Sequence, residues 1–218
     1  MSRLDDSARA ALVAGARRVG ESGLVVGSAG NLSLRADDTV LITCRGAELD
    51  ALTAEDCVEV SLSGATVSAG ARPSSELPLH LAVYGATDAR AVVHTHSHYA
   101  TVLGTLVNEL PAIHYTINQF GGPVRVARYE CFGTEELAGS VIEALEHRRA
   151  ALMANHGAVV AGPDIRTAVS MAIQLEWLAS IYYHAIACGT PTILTERELA
   201  AVREHAREID YGVKAGAR

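Results

Sequence analysis

Short apolar runs recur along this chain without regular helical alternation, and that order is what most restricts the fold. An amphipathic helix is expected from Asp5 to about Ser22, where Ala8, Leu12, Ala16 and Val19 share one face and Gly23 stands as a stop. Strand-like runs follow at Asn31–Arg35, Thr39–Thr43, Val58–Ser61 and Thr66–Ser68, the last two flanking a Ser63-Gly64 turn. Ser75-Glu76-Leu77-Pro78 opens a helix reaching about Tyr84, with Ser75 as its cap and Pro78 in the first turn. Ala91–His96, Ala112–Tyr115 and Ala151–Ala154 read as buried strands, and the last turns at Asn155-His156-Gly157 into Ala158–Ala161. Two helices close the pattern. One runs from about Asp164 to Ala187, and the other starts at a Thr195/Glu198 capping box and ends near Ile209. A helix, many strands and then helices, without strict βαβ order, predict an α/β chain. Its expected form is a single domain over residues 1–218, with a mainly antiparallel central sheet flanked by helices.

Composition narrows the function. With 218 residues and 49% hydrophobic content the chain can bury a sizeable core. A net charge of −7 and an aromatic share of 5% argue against a surface that grips nucleic acid. A locally positive pocket for a small anion stays compatible with that charge. No stretch approaches the roughly 18–20 apolar residues of a membrane span, and Asp5, Asp6 and Arg9 interrupt any leader-like segment. Cys44, Cys57, Cys131 and Cys188 are scattered without a CxxC pair, so they read as reduced, mostly buried thiols of a cytoplasmic protein.

Nine histidines are many for this length. His94 and His96 sit at i and i+2 of a predicted strand, so both imidazoles face one side and can reach one point. His156, in a tight turn after another apolar run, offers a third ring. Three neutral imidazoles with a carboxylate or water suit a catalytic zinc site, although ordinary histidines remain the blander explanation. His98 is at most a supporting residue. His80, His114, His147, His184 and His205 read as surface or hydrogen-bonded, with His114 the one expected nearest the site.

Three loops suit an anion. Ser74 and Ser75 precede a helix N-terminus, Gly27-Ser28-Ala29-Gly30-Asn31 offers N–H groups and an amide, and Arg45-Gly46 closes a third loop. Glu76 beside an anion site makes sense if its carboxylate faces a metal and moves protons.

Taken together, GSAGNLSLR (27–35), LITCRG (41–46), SSELPLH (74–80), VVHTHSHYAT (92–101), LPAIHYTINQFGG (110–122), CFGTEELA (131–138), MANHGAVV (153–160) and Tyr211-Gly212 resemble the class II aldolase/adducin-head family over nearly the whole chain. The resemblance is nearest its L-fuculose-1-phosphate aldolase branch. It implies an α/β/α sandwich, homotetramers with active sites at subunit interfaces, and cleavage of a ketose 1-phosphate to dihydroxyacetone phosphate and an aldehyde. It implies zinc, with manganese or cobalt also compatible, on residues matching His94, His96 and His156, and Glu76 as a further ligand and the catalytic carboxylate. Gly30, Asn31, Gly46, Ser74 and Ser75 match the phosphate pocket. Tyr115 matches a proton-transferring tyrosine that serves the neighbouring subunit, and Tyr211 a residue of a C-terminal tail, about 206–218, that closes over the substrate.

One position departs. The family loop usually reads Thr-Pro-Thr/Ser-Gly, whereas here it is Thr43-Cys44-Arg45-Gly46. Arg45 would contact the phosphate, read a carboxylate on a different substrate, or turn to solvent. Sister reactions on the scaffold are 4-epimerisation, dehydration and decarboxylation of a sugar-acid phosphate. Glu76 in place of Asp weighs against the epimerase, and Arg45 favours the decarboxylase. A non-catalytic adducin-like module would be expected to have lost ligands that this chain keeps. A dinucleotide-dependent redox enzyme fails for lack of a GxGxxG turn.

Overall fold

The computed structural model describes residues 6–67 and 70–210. In chain order it contains α1 (Asp6–Glu21), β1 (Asn31–Ala36), β2 (Thr39–Thr43), β3 (Cys57–Ser61), α2 (Leu77–Ala86), β4 (Ala91–Thr95), α3 (His98–Gly104), β5 (Glu109–Leu110), β6 (Val124–Ala127), α4 (Glu135–Ala144), β7 (Ala150–Met153), β8 (Gly157–Gly162), α5 (Ile165–Cys188) and α6 (Glu196–Glu208). Short 3-10 turns occupy Ala54–Asp56 and Tyr115–Phe120. The strands form one sheet in the order β3-β2-β1-β4-β8-β7-β6-β5. Every neighbouring pair is antiparallel except β6–β7, which is parallel.

Strand alternation builds two cores. Along β4, Ala91 and Val93 join one apolar cluster and Val92 the other; along β8, Ala158 and Val160 oppose Val159 and Ala161. The first cluster packs against α1, α3 and α5 through Leu12, Leu103 and Leu175. The second packs against α2 and α4 through Val83 and Val141. Helices therefore cover both faces, and the predicted α/β/α sandwich with a mainly antiparallel sheet is what forms.

Local signals explain several elements. In α1, Leu12, Ala16 and Val19 are buried on one stripe, and Gly23 ends the helix at φ +68°. Asp164 accepts the Thr167 N–H to start α5, and Thr195 and Glu198 form the expected capping box of α6. No helix among the described residues is long and apolar enough to cross a membrane.

Four expectations need correction. Ala112–Tyr115 is not a strand: Pro111 precedes it, and His114 caps the following 3-10 turn by accepting the Thr116 N–H. The sheet edge is instead Glu109–Leu110. The helix expected from Ser75 begins at Leu77 with Glu76 in the cap position, because the Ser74 hydroxyl accepts the Glu76 N–H. The hairpin run Thr66–Ser68 is reduced to a single bridge between Val60 and Thr66, and Ser68 lies outside the described residues. The thiols are free, but only Cys57 is buried; Cys44 is half-buried, and Cys131 and Cys188 are exposed. Helices α3 and α4 and strands β5 and β6 were not foreseen.

Candidate metal and anion site

The site lies where β4, β1, β8 and the start of α2 meet. Asn31 of β1 pairs in register with His94 of β4, and His94 pairs with Val159 of β8. Two turns finish the cluster. His96 follows β4 directly, and His156 sits in the β7–β8 turn, where Asn155 takes a left-handed conformation at φ +54°. The chain passes very close here: a Cβ on Gly157 would lie 2.1 Å from the Thr95 carbonyl oxygen. Only glycine allows β8 that approach.

The rings of His94, His96 and His156 stand edge to face, with centroids 4.8–4.9 Å apart. Their ligand atoms lie within 4.8 Å of one another. The Nε2 atoms of His94 and His96 are 3.0 Å apart, and Oε2 of Glu76 lies 2.8 Å from His94 Nε2 and 3.7 Å from His156 Nε2. His94 donates its Nδ1–H to the Ala158 carbonyl at 3.0 Å, which leaves the Nε2 lone pair facing the cluster. Burial pushes the His96 and His156 imidazoles down to about 4, aided by His94 and opposed by Glu76. Both are therefore neutral, with lone pairs free, at neutral pH.

Burial alone would raise the Glu76 carboxyl, but the surrounding imidazoles, His94 foremost, bring it down to about 2. Among the described residues neither of its oxygens receives a well-directed hydrogen bond, although both are sealed from solvent. Lone pairs of imidazoles and a carboxylate thus converge in a buried space with no donor among the described residues to separate them. A divalent cation satisfies that arrangement. The closest nitrogen spacing is near the roughly 3.3 Å expected of two ligands on a tetrahedral zinc.

Beside the cluster opens a cavity of about 360 Å³, a size suited to a small molecule. Gly30, Asn31, Arg45, Gly46, Ser74, Ser75, Glu76, His96 and His156 all line it. Gly30 has φ +84°, and a Cβ there would meet Val25 at 2.5 Å and the His94 carbonyl oxygen at 2.9 Å. The Arg45 side chain is exposed at the cavity wall and makes no hydrogen bond or ion pair among the described residues.

Other predicted residues lie elsewhere. Tyr115 is 42% exposed and lines a separate apolar groove with Val202, Ala206 and Ile209 of the α6 end. His114, expected near the site, packs instead against Tyr115 and Trp177. His98 is exposed at the start of α3. Tyr211 lies outside the described residues, as does most of the tail expected over 206–218; residues 206–208 are the last turn of α6. Sequence reasoning missed Tyr129, Glu130 and Phe132 on the cavity wall. The signal was available in Phe132, one of only two phenylalanines, placed in a Cys-Phe-Gly-Thr loop.

Residues 10–183 match the family described as Class II Aldolase and Adducin N-terminal domain. The chain is 40% identical over 194 residues to the 5-deoxy-D-ribulose 1-phosphate aldolase of Bacillus thuringiensis serovar kurstaki, covering 88% of this chain and 91% of that one. It is 37% identical over 195 residues to the L-fuculose phosphate aldolase of Escherichia coli K12, covering 88% and 89%. Among solved structures, an L-fuculose 1-phosphate aldolase superposes with a TM-score of 0.89 at 34% identity, over 93% of this chain and 97% of that one.

Proposed function

We propose, since the chain belongs to the class II aldolase and adducin N-terminal domain family, that it cleaves a ketose 1-phosphate reversibly to dihydroxyacetone phosphate and a short aldehyde. It is a class II aldolase of the fuculose-phosphate/deoxyribulose-phosphate type, with the class II aldolase fold. The observation that carries the finer reading is the convergence of His94, His96, His156 and the Glu76 carboxylate beside a cavity lined by Glu76, His96, His156, Asn31, Ser74 and Ser75.

In this reading His94, His96 and His156 hold a divalent ion, zinc in the first instance, with Glu76 as a further ligand. When bound, the ion supplies positive charge that polarises the substrate's carbonyl and adjacent hydroxyl. The N–H groups at the start of α2, the hydroxyls of Ser74 and Ser75, the Asn31 amide, the backbone at Gly30 and Gly46, and Arg45 hold the phosphate. In the condensation direction Glu76 takes a proton from C3 of the triose. The electron pair left on C3 forms the C3–C4 bond with the aldehyde carbon, and the aldehyde oxygen takes a proton from Tyr115 of a neighbouring subunit. Cleavage runs the same steps backwards. The exposure of Tyr115, away from its own chain's cavity, supports that role within a homotetramer whose sites lie at subunit interfaces. The enzyme works in the cytoplasm.

The substrate class follows from the cavity mouth. Tyr129 and Phe132 are each 64% exposed there, and apolar rings favour a substrate whose far end is a methyl group. Both 5-deoxyribulose and fuculose are deoxy sugars that end in methyl. The test is to purify the protein, strip its metal with a chelator, and assay both 1-phosphates with and without added zinc. Activity should vanish on stripping and return with zinc, and full turnover without metal would refute the mechanism. Epimer, dehydrated product or carbon dioxide from a wider sugar-phosphate panel would point to a sister reaction instead.

A further inference from the structure

Beneath the anion cavity runs a buried chain of hydrogen bonds that the proposed chemistry does not use. His80 of α2 is fully buried, with Nε2 2.6 Å from Oδ1 of Asn31 and Nδ1 2.6 Å from Oγ of Ser33. Ser33 Oγ lies in turn 2.6 Å from the Tyr84 hydroxyl. The spacing explains the match. Asn31 and Ser33 are i and i+2 on β1 and share the face toward α2, where His80 and Tyr84 are i and i+4. Ser33 and Tyr84 are buried and line no part of the cavity, whereas Asn31 does line it.

The chain has a direction. An amide oxygen only accepts, so the His80 proton sits on Nε2. Nδ1 then accepts the Ser33 hydroxyl proton, and the Ser33 oxygen accepts from Tyr84. A neutral imidazole carries one N–H only, so the proton that Nε2 directs at Asn31 leaves Nδ1 as an acceptor. The Asn31 side-chain nitrogen makes no hydrogen bond among the described residues and is not sealed from solvent.

We propose that His80 is a positioning residue: the Tyr84–Ser33–His80 chain turns the Asn31 amide so that its N–H₂ faces the cavity and donates to the substrate's phosphate. The assignment rests on the phosphate reading of the cavity. Reversing the chain would present the Asn31 carbonyl oxygen instead and repel an anion, so the relay sets the sign of the wall at that point. Ser33 is the telling position because it touches neither ligand nor metal. Without its hydroxyl, Nδ1 loses its donor, the two His80 tautomers become comparable, and the amide is no longer held one way.

The test uses the metal-loaded protein with inorganic phosphate as probe in calorimetry, together with steady-state cleavage kinetics. Ser33→Ala and His80→Leu should weaken phosphate binding and raise KM roughly three- to tenfold, with kcat and metal content little changed. His80→Gln, which restores an N–H toward Asn31, should recover most of the loss. Should His80→Leu fail to fold, Ser33→Ala carries the comparison. Equal phosphate affinity in wild type and Ser33→Ala overturns the relay. Nitrogen-15 spectra of histidine-labelled protein should place the His80 proton on Nε2, and a proton on Nδ1 overturns it independently. A wild-type protein that neither binds phosphate nor cleaves a ketose phosphate refutes the phosphate reading itself, and the assignment falls with it.

Discussion

Glu76 is buried among imidazoles, yet its oxygens have no hydrogen-bond donor among the described residues. Glu76→Gln keeps the shape and removes the base, so kcat should fall by roughly a hundredfold or more while KM changes little. Steady-state kinetics with metal analysis would check this, and near-normal turnover would exclude a proton role. Arg45 makes a second prediction. If its guanidinium contacts the phosphate, Arg45→Thr should raise KM roughly tenfold for every 1-phosphate tested. An unchanged KM in the same assay would mean that it points to solvent. The residues the structure brings together were legible because each carries its own local signal. His94 and His96 alternate on a strand, His156 sits in an Asn-His-Gly turn, and Ser74 and Ser75 precede a helix. His80 was not legible as a buried group, since its partners Asn31 and Ser33 lie 49 and 47 positions away and no local pattern announces them.

Among the elements, β8 begins with the tightest constraint. Gly157→Ala would force a Cβ against the Thr95 carbonyl, separating β4 from β8 where His94 and His156 converge. The expected cost is about 2–3 kcal/mol, read as a lower denaturation midpoint, with metal affinity falling alongside. A midpoint within error of wild type would contradict the close approach. Elements differ in how far their causes reach. The α6 start is written in Thr195 and Glu198, and α4 carries an equally local cap, since Thr134 accepts the Leu137 N–H ahead of Glu135 and Glu136. That second signal was present in the sequence and overlooked. Helix α3 is another matter. Its Ser97 makes no capping bond, and the N–H groups of Tyr99 and Ala100 are satisfied by the carboxylate of Glu176 on α5. No local pattern could place a cap 77 positions away. Strand β5, only two residues long, is too short for any periodicity.

For the whole molecule, four buried groups that titrate on the acid side agree in sign, whereas burial raises the Tyr84 hydroxyl and the Cys57 thiol. His80, His96, His156 and Glu76 all have depressed pKa values in the folded state. A depressed value means that the unfolded chain binds the proton more readily, so acid favours unfolding. The histidine contribution is complete above about 6.5 and is lost as pH falls toward 3–4; that of Glu76 is lost below about 4.5. Thermal melts across pH should therefore show Tm declining below about pH 6.5, and the stabilisation by added zinc should shrink over the same range. A Tm that rises on acidification would contradict the buried neutral imidazoles. The sandwich class was readable from element order and resemblance, but the placing of β4 between β1 and β8 was not, because such pairings join distant segments. That placing also sets when a metal-holding set of residues can form. Only His94 and His96 are neighbours in the unfolded chain, while His94 meets Ala158 across 64 positions. A complete set of ligands exists only once the large loops on both sides of β4 have closed. An ion held by this set would therefore act after folding, as a latch, rather than as its template. Added zinc should slow unfolding in stopped-flow experiments and leave the refolding rate unchanged.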